Sequence, residues 1–250
     1  MNFAGKKILL TGAAGGLGYG SALEFVRHGA RLIALDIKPA QGEQLQRDAK
    51  KIGSGSLIYV NQDLAEVDGL RKTVAELVKK EGVIDVLINN AAIYPAKTFE
   101  EFSLEEYRRV QMVNVEAGIV CAQMLVPPMK QQRYGRIVNI TSITVYGGWA
   151  NLYPYVASKA SLIGLARVWA REFGPYDITV NCIACGAFPT DAEKIHPDPE
   201  GYTRFVLEHQ CLKRRGTTQD VAHTMMYLAS DYSSFLTGQT LNLDGGWVMR

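Results

Sequence analysis

Short apolar runs alternate along the chain with longer stretches in which apolar side chains return every three or four positions. Runs at 6–11, 31–36, 56–61, 84–89, 135–141, 178–184 and 239–243 predict strands. Stretches near 17–29, 40–52, 66–81, 103–130, 152–174 and 217–230 predict helices. Strands alternating with helices of this length build a parallel sheet covered on both faces, so the predicted class is α/β, a doubly wound seven-stranded parallel sheet. No repeat, low-complexity tract or linker interrupts residues 1–250, which are read as one domain. Pro127 and Pro128 are expected to kink or end the long helix ahead of the fifth strand. The one long irregular stretch, about 187–212, carries Pro189, Pro197, Pro199 and Gly201 and follows the sixth strand on the ligand side of such a sheet. A substrate lid is expected there.

The first strand ends in Gly12-Ala13-Ala14-Gly15-Gly16-Leu17-Gly18, and Ala22, Phe25 and Val26 then continue at helical spacing. Glycines between a strand and a helix let the backbone approach a pyrophosphate and aim helix N-terminal amides at it. The spacing of Gly12, Gly16 and Gly18 is not G-x-G-x-x-G, and a tight turn without a ligand is the alternative. The second run, Leu32-Ile33-Ala34-Leu35, ends at Asp36, near the ~20-residue offset at which a carboxylate accepts hydrogen bonds from an adenosine ribose. A carboxylate there repels a 2′-phosphate, and Ile37 follows where an arginine would attract one, so the expected cofactor is NAD rather than NADP. Asp36 can equally open the next helix, with Pro39 in its first turn.

Tyr155-Val156-Ala157-Ser158-Lys159 places a phenol and an ammonium on one helix face. A free tyrosine has a pKa near ~10, and a fixed cation close by favours the phenolate by roughly one to three units. Lys159 would supply that cation, making Tyr155 an acid–base group; a half-buried aromatic beside a solvated amine is the plainer reading.

These residues, taken in order, resemble the short-chain dehydrogenase/reductase family over essentially the whole chain. The resemblance rests on Thr11-Gly12 with Gly16 and Gly18, on Asp63 after Leu57-Ile58-Tyr59-Val60, and on Asn89-Asn90-Ala91-Ala92, where Ala92 replaces a glycine. Asn114, Ser142, Tyr155 and Lys159 fall where the family keeps its catalytic tetrad. It implies a single-domain Rossmann fold and a dinucleotide held by Gly12, Gly16, Leu17, Gly18, Asp36, Asp63, Leu64, Asn90, Ala91, Tyr155, Lys159, Gly186, Phe188 and Thr190. It further implies that Asn114 holds a water linking Lys159 to solvent, that Ser142 binds the substrate oxygen, and that Lys159 holds the nicotinamide ribose. Cys185-Gly186 replaces the family's Pro-Gly, which loosens the turn beside the nicotinamide. A homotetramer is implied, with the helices at 103–130 and 152–174 and the last strand at its interfaces.

Read alone, Asn114 simply bends its helix and Ser142 satisfies a turn. A serine hydrolase lacks support, because the sequence around Ser142 has no G-x-S-x-G elbow. None of His28, His196, His209 and His223 looks like a triad base. Tyr94, Thr144, Tyr146, Trp149, Tyr153, Phe188, Tyr202 and Phe205 fall in segments expected around the nicotinamide, a set suited to a ring; of these, Tyr94, Thr144, Trp149, Phe188 and Tyr202 are the substrate-pocket residues proper. Lys194, His196 and Arg204 could meet an anionic substituent.

The expected reaction is NAD-dependent interconversion of a secondary alcohol and a ketone on a cyclic, aromatic or sugar-like small molecule. A β-ketoacyl thioester reductase using NADPH is the enzymatic alternative, disfavoured by Asp36, and a non-catalytic dinucleotide-binding protein the alternative of another class. A net charge of +2 gives no electrostatic case for nucleic acid or membrane. No apolar run looks long enough to span a bilayer and no signal-peptide pattern precedes the first strand, so a cytoplasmic protein is expected. Cys121, Cys182, Cys185 and Cys211 are too few and irregular for a disulfide scaffold. Cys182 and Cys185 have metal spacing without a second ligand pair, and no metal is expected.

Overall fold

The computed structural model describes residues 1–190, 193 and 197–249. Its centre is a seven-stranded sheet in the order β3-β2-β1-β4-β5-β6-β7, every neighbouring pair parallel. The strands are β1 (Lys7–Thr11), β2 (Arg31–Asp36), β3 (Ser56–Asn61), β4 (Val86–Asn89), β5 (Gly135–Ser142), β6 (Ile178–Cys185) and β7 (Thr240–Leu243). Among the described residues the helices are α1 (Gly16–Arg27), α2 (Pro39–Ile52), α3 (Val67–Glu81), α4 (Leu104–Gln111), α5 (Ala117–Gln132), α6 (Thr144–Gly147), α7 (Tyr153–Phe173), α8 (Pro199–His209) and α9 (Thr218–Ala229).

The central strands are apolar at nearly every position because both faces are covered. On one face Ile8, Leu10, Leu32 and Ile88 pack with Phe25 of α1 and with Val221 and Met225 of α9. On the other, Leu9, Ile33, Leu87 and Ile137 pack with Leu70 of α3, Leu125 of α5 and Trp169 of α7. Period-two alternation divides Cys182 and Cys185 as well: Cys182 enters the α5–α7 cluster and Cys185 the α1–α9 cluster, so the pair cannot close on one ion.

Three expectations need correction. Pro127 and Pro128 do not end the long helix, since α5 runs through them to Gln132. Both lie on its outward side, as do the residues one turn back, Gln123 and Met124, whose carbonyls lose their intrahelical donors there. The stretch 187–212 is not irregular throughout, because α8 occupies its second half. Asp198 caps that helix by accepting from the Gly201 amide at 2.8 Å, and Pro199 takes its first turn, so signals that read as loop mark a helix start. Finally, α4 and α5 join through a π-helical turn, Met112–Glu116, into one helix, Leu104–Gln132, long and apolar enough by composition to cross a membrane. Of its most apolar window 56% is buried inside the protein, where the helix packs on α3 and α7 as a core element.

Of the residues in α8 only Val206 is buried, so little apolar contact holds this helix to the body. Amides of α8 are therefore expected to exchange faster than those of β1, β4 and β5 in the free protein and to slow when cofactor and a substrate analogue bind together. Hydrogen exchange followed by mass spectrometry decides this. Protection in free α8 equal to that of the sheet would remove the idea of a lid.

Candidate active site

Chain order reverses between β1 and β4, which lie side by side while later strands add outward in both directions. The crevice beyond their carboxyl ends is where such a sheet takes ligands. Gly12 follows β1 with φ +65°, and a Cβ on it would fall 2.7 Å from the Ala91 Cα. A Cβ on Gly18 would fall 2.1 Å from the Gly12 carbonyl oxygen. Only glycine fits either position, and the result is a tight cradle at the start of α1. Asn90 Nδ2 donates to the carbonyls of Thr11 and Gly12 at 2.9 and 3.0 Å, while Thr11 Oγ1 accepts from the amides of Asn90 and Ala91. Asn90 and Ala91 thus fix the loop and also border the crevice with Gly12, Gly16 and Leu17; Gly18 lies beneath the loop.

Asp36 ends β2 nearly buried and turns the chain toward α2, as its helix-opening reading expects. Its Oδ1 accepts from the Lys38 amide at 3.1 Å, turning the chain into α2, and its Oδ2 accepts from the Ala14 amide at 2.8 Å, tying the glycine loop to β2. Each carboxylate oxygen keeps a further lone pair toward the crevice. Asp63 accepts from the Ala65 amide at 2.9 Å and, with Leu64, forms the wall beyond it.

Three strand positions separate β2 from β5, roughly 14 Å at ~4.8 Å per strand, and at the far end stand the tetrad residues. Ser142 closes β5; its Oγ accepts from the amide and hydroxyl of Thr144 at 3.2 and 3.0 Å, and it stands near enough to the Tyr155 phenol to favour the phenolate. Lys159 is buried one turn along α7, its Nζ 5.6 Å from the Tyr155 ring centre and donating to the Ile140 carbonyl at 2.7 Å. Thr141 Oγ1 holds the Lys159 carbonyl at 2.7 Å and so locks α7 to β5. Asn114 sits in the π-helical turn, a device common at functional sites. Its Oδ1 accepts from the Ile93 amide, and its Nδ2 donates to the Ile93 carbonyl and to Ser158 Oγ, all within 2.9 Å. Rather than merely bending its helix, Asn114 clamps the segment after β4 to α7.

Between the two ends runs a cavity of about 740 Å³, well within the range for a small-molecule site. Gly186, Phe188 and Thr190 border it after β6. Gly186 donates to the Leu243 carbonyl at 2.9 Å and Ile143 to that of Cys185 at 3.1 Å, so strand pairing holds the turn where the usual proline is missing. Tyr94, Thr144, Trp149, Tyr202 and Phe205 line the cavity as expected, with Tyr94 edge-on to Tyr155 at 6.1 Å. Phe188 lines it too, but its ring belongs to the core and is packed against Gly216. Tyr153 and Tyr146 do not line it. Tyr153 packs on Phe99, Phe102 and Tyr107, and Tyr146 lies against the α5–α7 core. Arg204 faces outward toward Asp198 and Glu200, away from any substrate group; Lys194 and His196 lie outside the described residues. Arg109 and Trp247, unforeseen from sequence, also line the cavity.

Electrostatics in the free protein run against one expectation. Burial pushes the Tyr155 phenol up to about 12, outweighing the Ser142 side chain that pulls it down, and pushes Lys159 down to about 8. The Lys159 ammonium is turned to the Ile140 carbonyl and does not offset that burial. The anticipated lowering of the phenol is absent in the free protein, because desolvation outweighs what the Ser142 side chain contributes.

Residues 12–248 match the family model described as enoyl-(acyl carrier protein) reductase. The chain is 36% identical over 250 residues to the 3-oxoacyl-[acyl-carrier-protein] reductase FabG of Thermotoga maritima, covering 100% of both chains. It is 33% identical over 244 residues to the D-xylose 1-dehydrogenase of Caulobacter vibrioides, covering 97% of this chain and 96% of that protein. A crystal structure of a 3-oxoacyl (acyl-carrier-protein) reductase from Agrobacterium tumefaciens C58 with NADP bound superposes with a TM-score of 0.91 at 26% identity, covering 98% of this chain and 95% of that one.

Proposed function

The chain belongs to the short-chain dehydrogenase/reductase family, and from that membership and its own site we propose that it is an NAD-dependent oxidoreductase interconverting a secondary alcohol and a ketone on a cyclic or sugar-like small molecule. The observation that carries this is Tyr155, beside Ser142 and one helical turn from Lys159, standing in the same cavity as a glycine cradle and Asp36. The cradle and the carboxylate fit a dinucleotide whose adenosine ribose carries no phosphate. NAD, when bound, takes or gives the hydride. Tyr155 Oη takes the alcohol proton in oxidation and returns it in reduction. Ser142 Oγ orients the substrate oxygen, and Lys159, with two ammonium protons beyond the one given to Ile140, serves the ribose and the proton path. Because the Asn114 side chain is already bonded, a water between it and Lys159 would rest on its main-chain carbonyl.

The exposed edge of β7 and the outward Tyr232 and Phe235 support a proposed homotetramer, working in the cytoplasm. A second reading, a 3-oxoacyl thioester reductase using NADPH, draws support from Lys38 as well as from the relatives. Lys38 Nζ would lie 3.4 Å from a Cβ on Gly15, which brings a cation to the crevice end that holds Asp36.

Proton flow through Tyr155 gives the test a sign. Burial holds the free-enzyme phenol protonated at neutral pH. Oxidation needs it deprotonated, so kcat/KM for alcohol oxidation is expected to rise relative to that for ketone reduction between about pH 7 and 10, both directions also carrying the loss of the Lys159 ammonium above about 8. A Tyr155→Phe variant whose residual alcohol oxidation climbs with pH as steeply as wild type would remove Tyr155 as the proton carrier.

A further inference from the structure

Trp247 lies beyond the last strand, in a turn that the protein builds with some care. The buried Asp244 carboxylate accepts from the amides of Gly246 and Val248 at 2.9 and 2.7 Å, and Asn242 Nδ2 donates to the Val248 carbonyl at 2.7 Å. Trp247 is therefore gripped on both sides by backbone bonds. Its ring meets Trp149 edge-on at 5.6 Å, Phe205 edge-on at 5.7 Å and His209 at 5.4 Å. Those partners come from the segment after α6 and from α8, so three parts of the chain distant in sequence converge on one indole. Leu212 donates to the Gly245 carbonyl at 2.9 Å, fastening the end of α8 to the same turn.

Trp149, Phe205 and Trp247 all line the cavity that contains Tyr155, and none of the three is fully buried. Large aromatic rings left partly open in a cavity gain when a flat apolar surface covers them, at roughly 25 cal/mol per Å² of apolar area removed from water. A ring compound presents such a surface with few rotors to freeze, whereas an open chain must lose rotamer freedom to match it. Resting on the oxidoreductase reading above, we infer that Trp247 is a specificity-determining residue: with Trp149 and Phe205 it forms an aromatic wall that selects substrates by the C–H face of a ring. Trp247 touches the non-reacting part of the substrate, so its loss weakens binding of rings and spares cofactor and acyclic alcohols.

Trp247→Ala and Trp247→Phe are compared with wild type on cyclohexanol and 2-butanol, with NADH affinity measured alongside. Trp247→Ala is expected to lower kcat/KM for cyclohexanol by at least about tenfold, chiefly through KM, and for 2-butanol by less than about twofold, with unchanged NADH affinity. Trp247→Phe should restore most of the loss. Binding is read separately, by saturation-transfer NMR of cyclohexanone against 2-butanone on the NAD-loaded protein, a pair that cannot react, where only the cyclohexanone signal should depend on Trp247. Equal losses on both alcohols, or none, would overturn the wall even if the enzyme turns over both. Ring-selective binding with no turnover of any alcohol would keep the wall and sink the oxidoreductase reading.

Discussion

Tyr155→Phe is expected to lose nearly all turnover and to leave NADH affinity close to that of wild type. The substitution removes one oxygen from a half-buried ring that keeps its edge contact with Tyr94, so packing changes little. What disappears is the hydroxyl beside Ser142 that would carry the reacting proton. Proton transfer by a positioned side chain is worth on the order of 10²–10⁴ in rate, and the loss should fall in that range or beyond it. Stopped-flow and steady-state assays with one good substrate measure it, and fluorescence titration with NADH supplies the binding constant. A variant that keeps a tenth of wild-type kcat would mean that the proton travels by another route. Lys159→Ala should lose turnover and cofactor affinity together, since it serves both groups.

The second large effect is on cofactor choice. Asp36 should accept hydrogen bonds from an unphosphorylated adenosine ribose, bonds to a charged acceptor being worth about 1.5–3 kcal/mol, and should repel a 2′-phosphate. A tenfold preference needs only ~1.4 kcal/mol, so wild type is expected to favour NAD by at least that factor in kcat/KM. Lys38 beside Gly15 works in the opposite direction, and its screening by salt is stronger because it is exposed. Asp36→Ala would leave the Ala14 and Lys38 amides without their acceptor and loosen the glycine loop itself. Asp36→Asn is the cleaner variant, because the amide oxygen can still accept from Ala14 while the charge is gone. It should lower efficiency with NAD and raise it with NADP, and Ile37→Arg added to it should push further by pairing the phosphate. Equal use of both cofactors by wild type, or a preference unmoved by Asp36→Asn, would leave Asp36 as a helix-opening turn and favour the NADPH-dependent reductase.

Much of this architecture is legible in the sequence because two periods dominate it. Runs such as Leu32-Ile33-Ala34-Leu35 are apolar at every position only when both sheet faces are covered, and each predicted strand lies within two residues of the observed one. Failures have local causes. Tyr153 stands two positions before Tyr155, about 200° around a helix at ~100° per residue, so it faces Phe102 and Tyr107 instead of the cavity. That phase was available from sequence. Asp198-Pro199 was likewise a helix-start signal hidden among turn formers. Trp247 was not legible, because its place depends on how Asp244 folds the last residues back against α8. The Tyr155–Lys159 pair was legible, but the balance between desolvation and attraction was not. Where Lys159 points is set by the Ile140 carbonyl on a strand some twenty residues earlier.

Hydride transfer from a carbinol carbon is the centre of this account, and isotope tracing follows that atom. Cyclohexanol carrying deuterium at its carbinol carbon is incubated with the protein and NAD, and the reduced nicotinamide is analysed by mass spectrometry and NMR. One deuterium per molecule is expected, on a single face of the nicotinamide C4, formed by wild type and not by Tyr155→Phe. Tight binding of NADH without any labelled product, from this alcohol or from a panel of cyclic, sugar and acyclic secondary alcohols, would contradict it and identify a protein that binds the dinucleotide without using it.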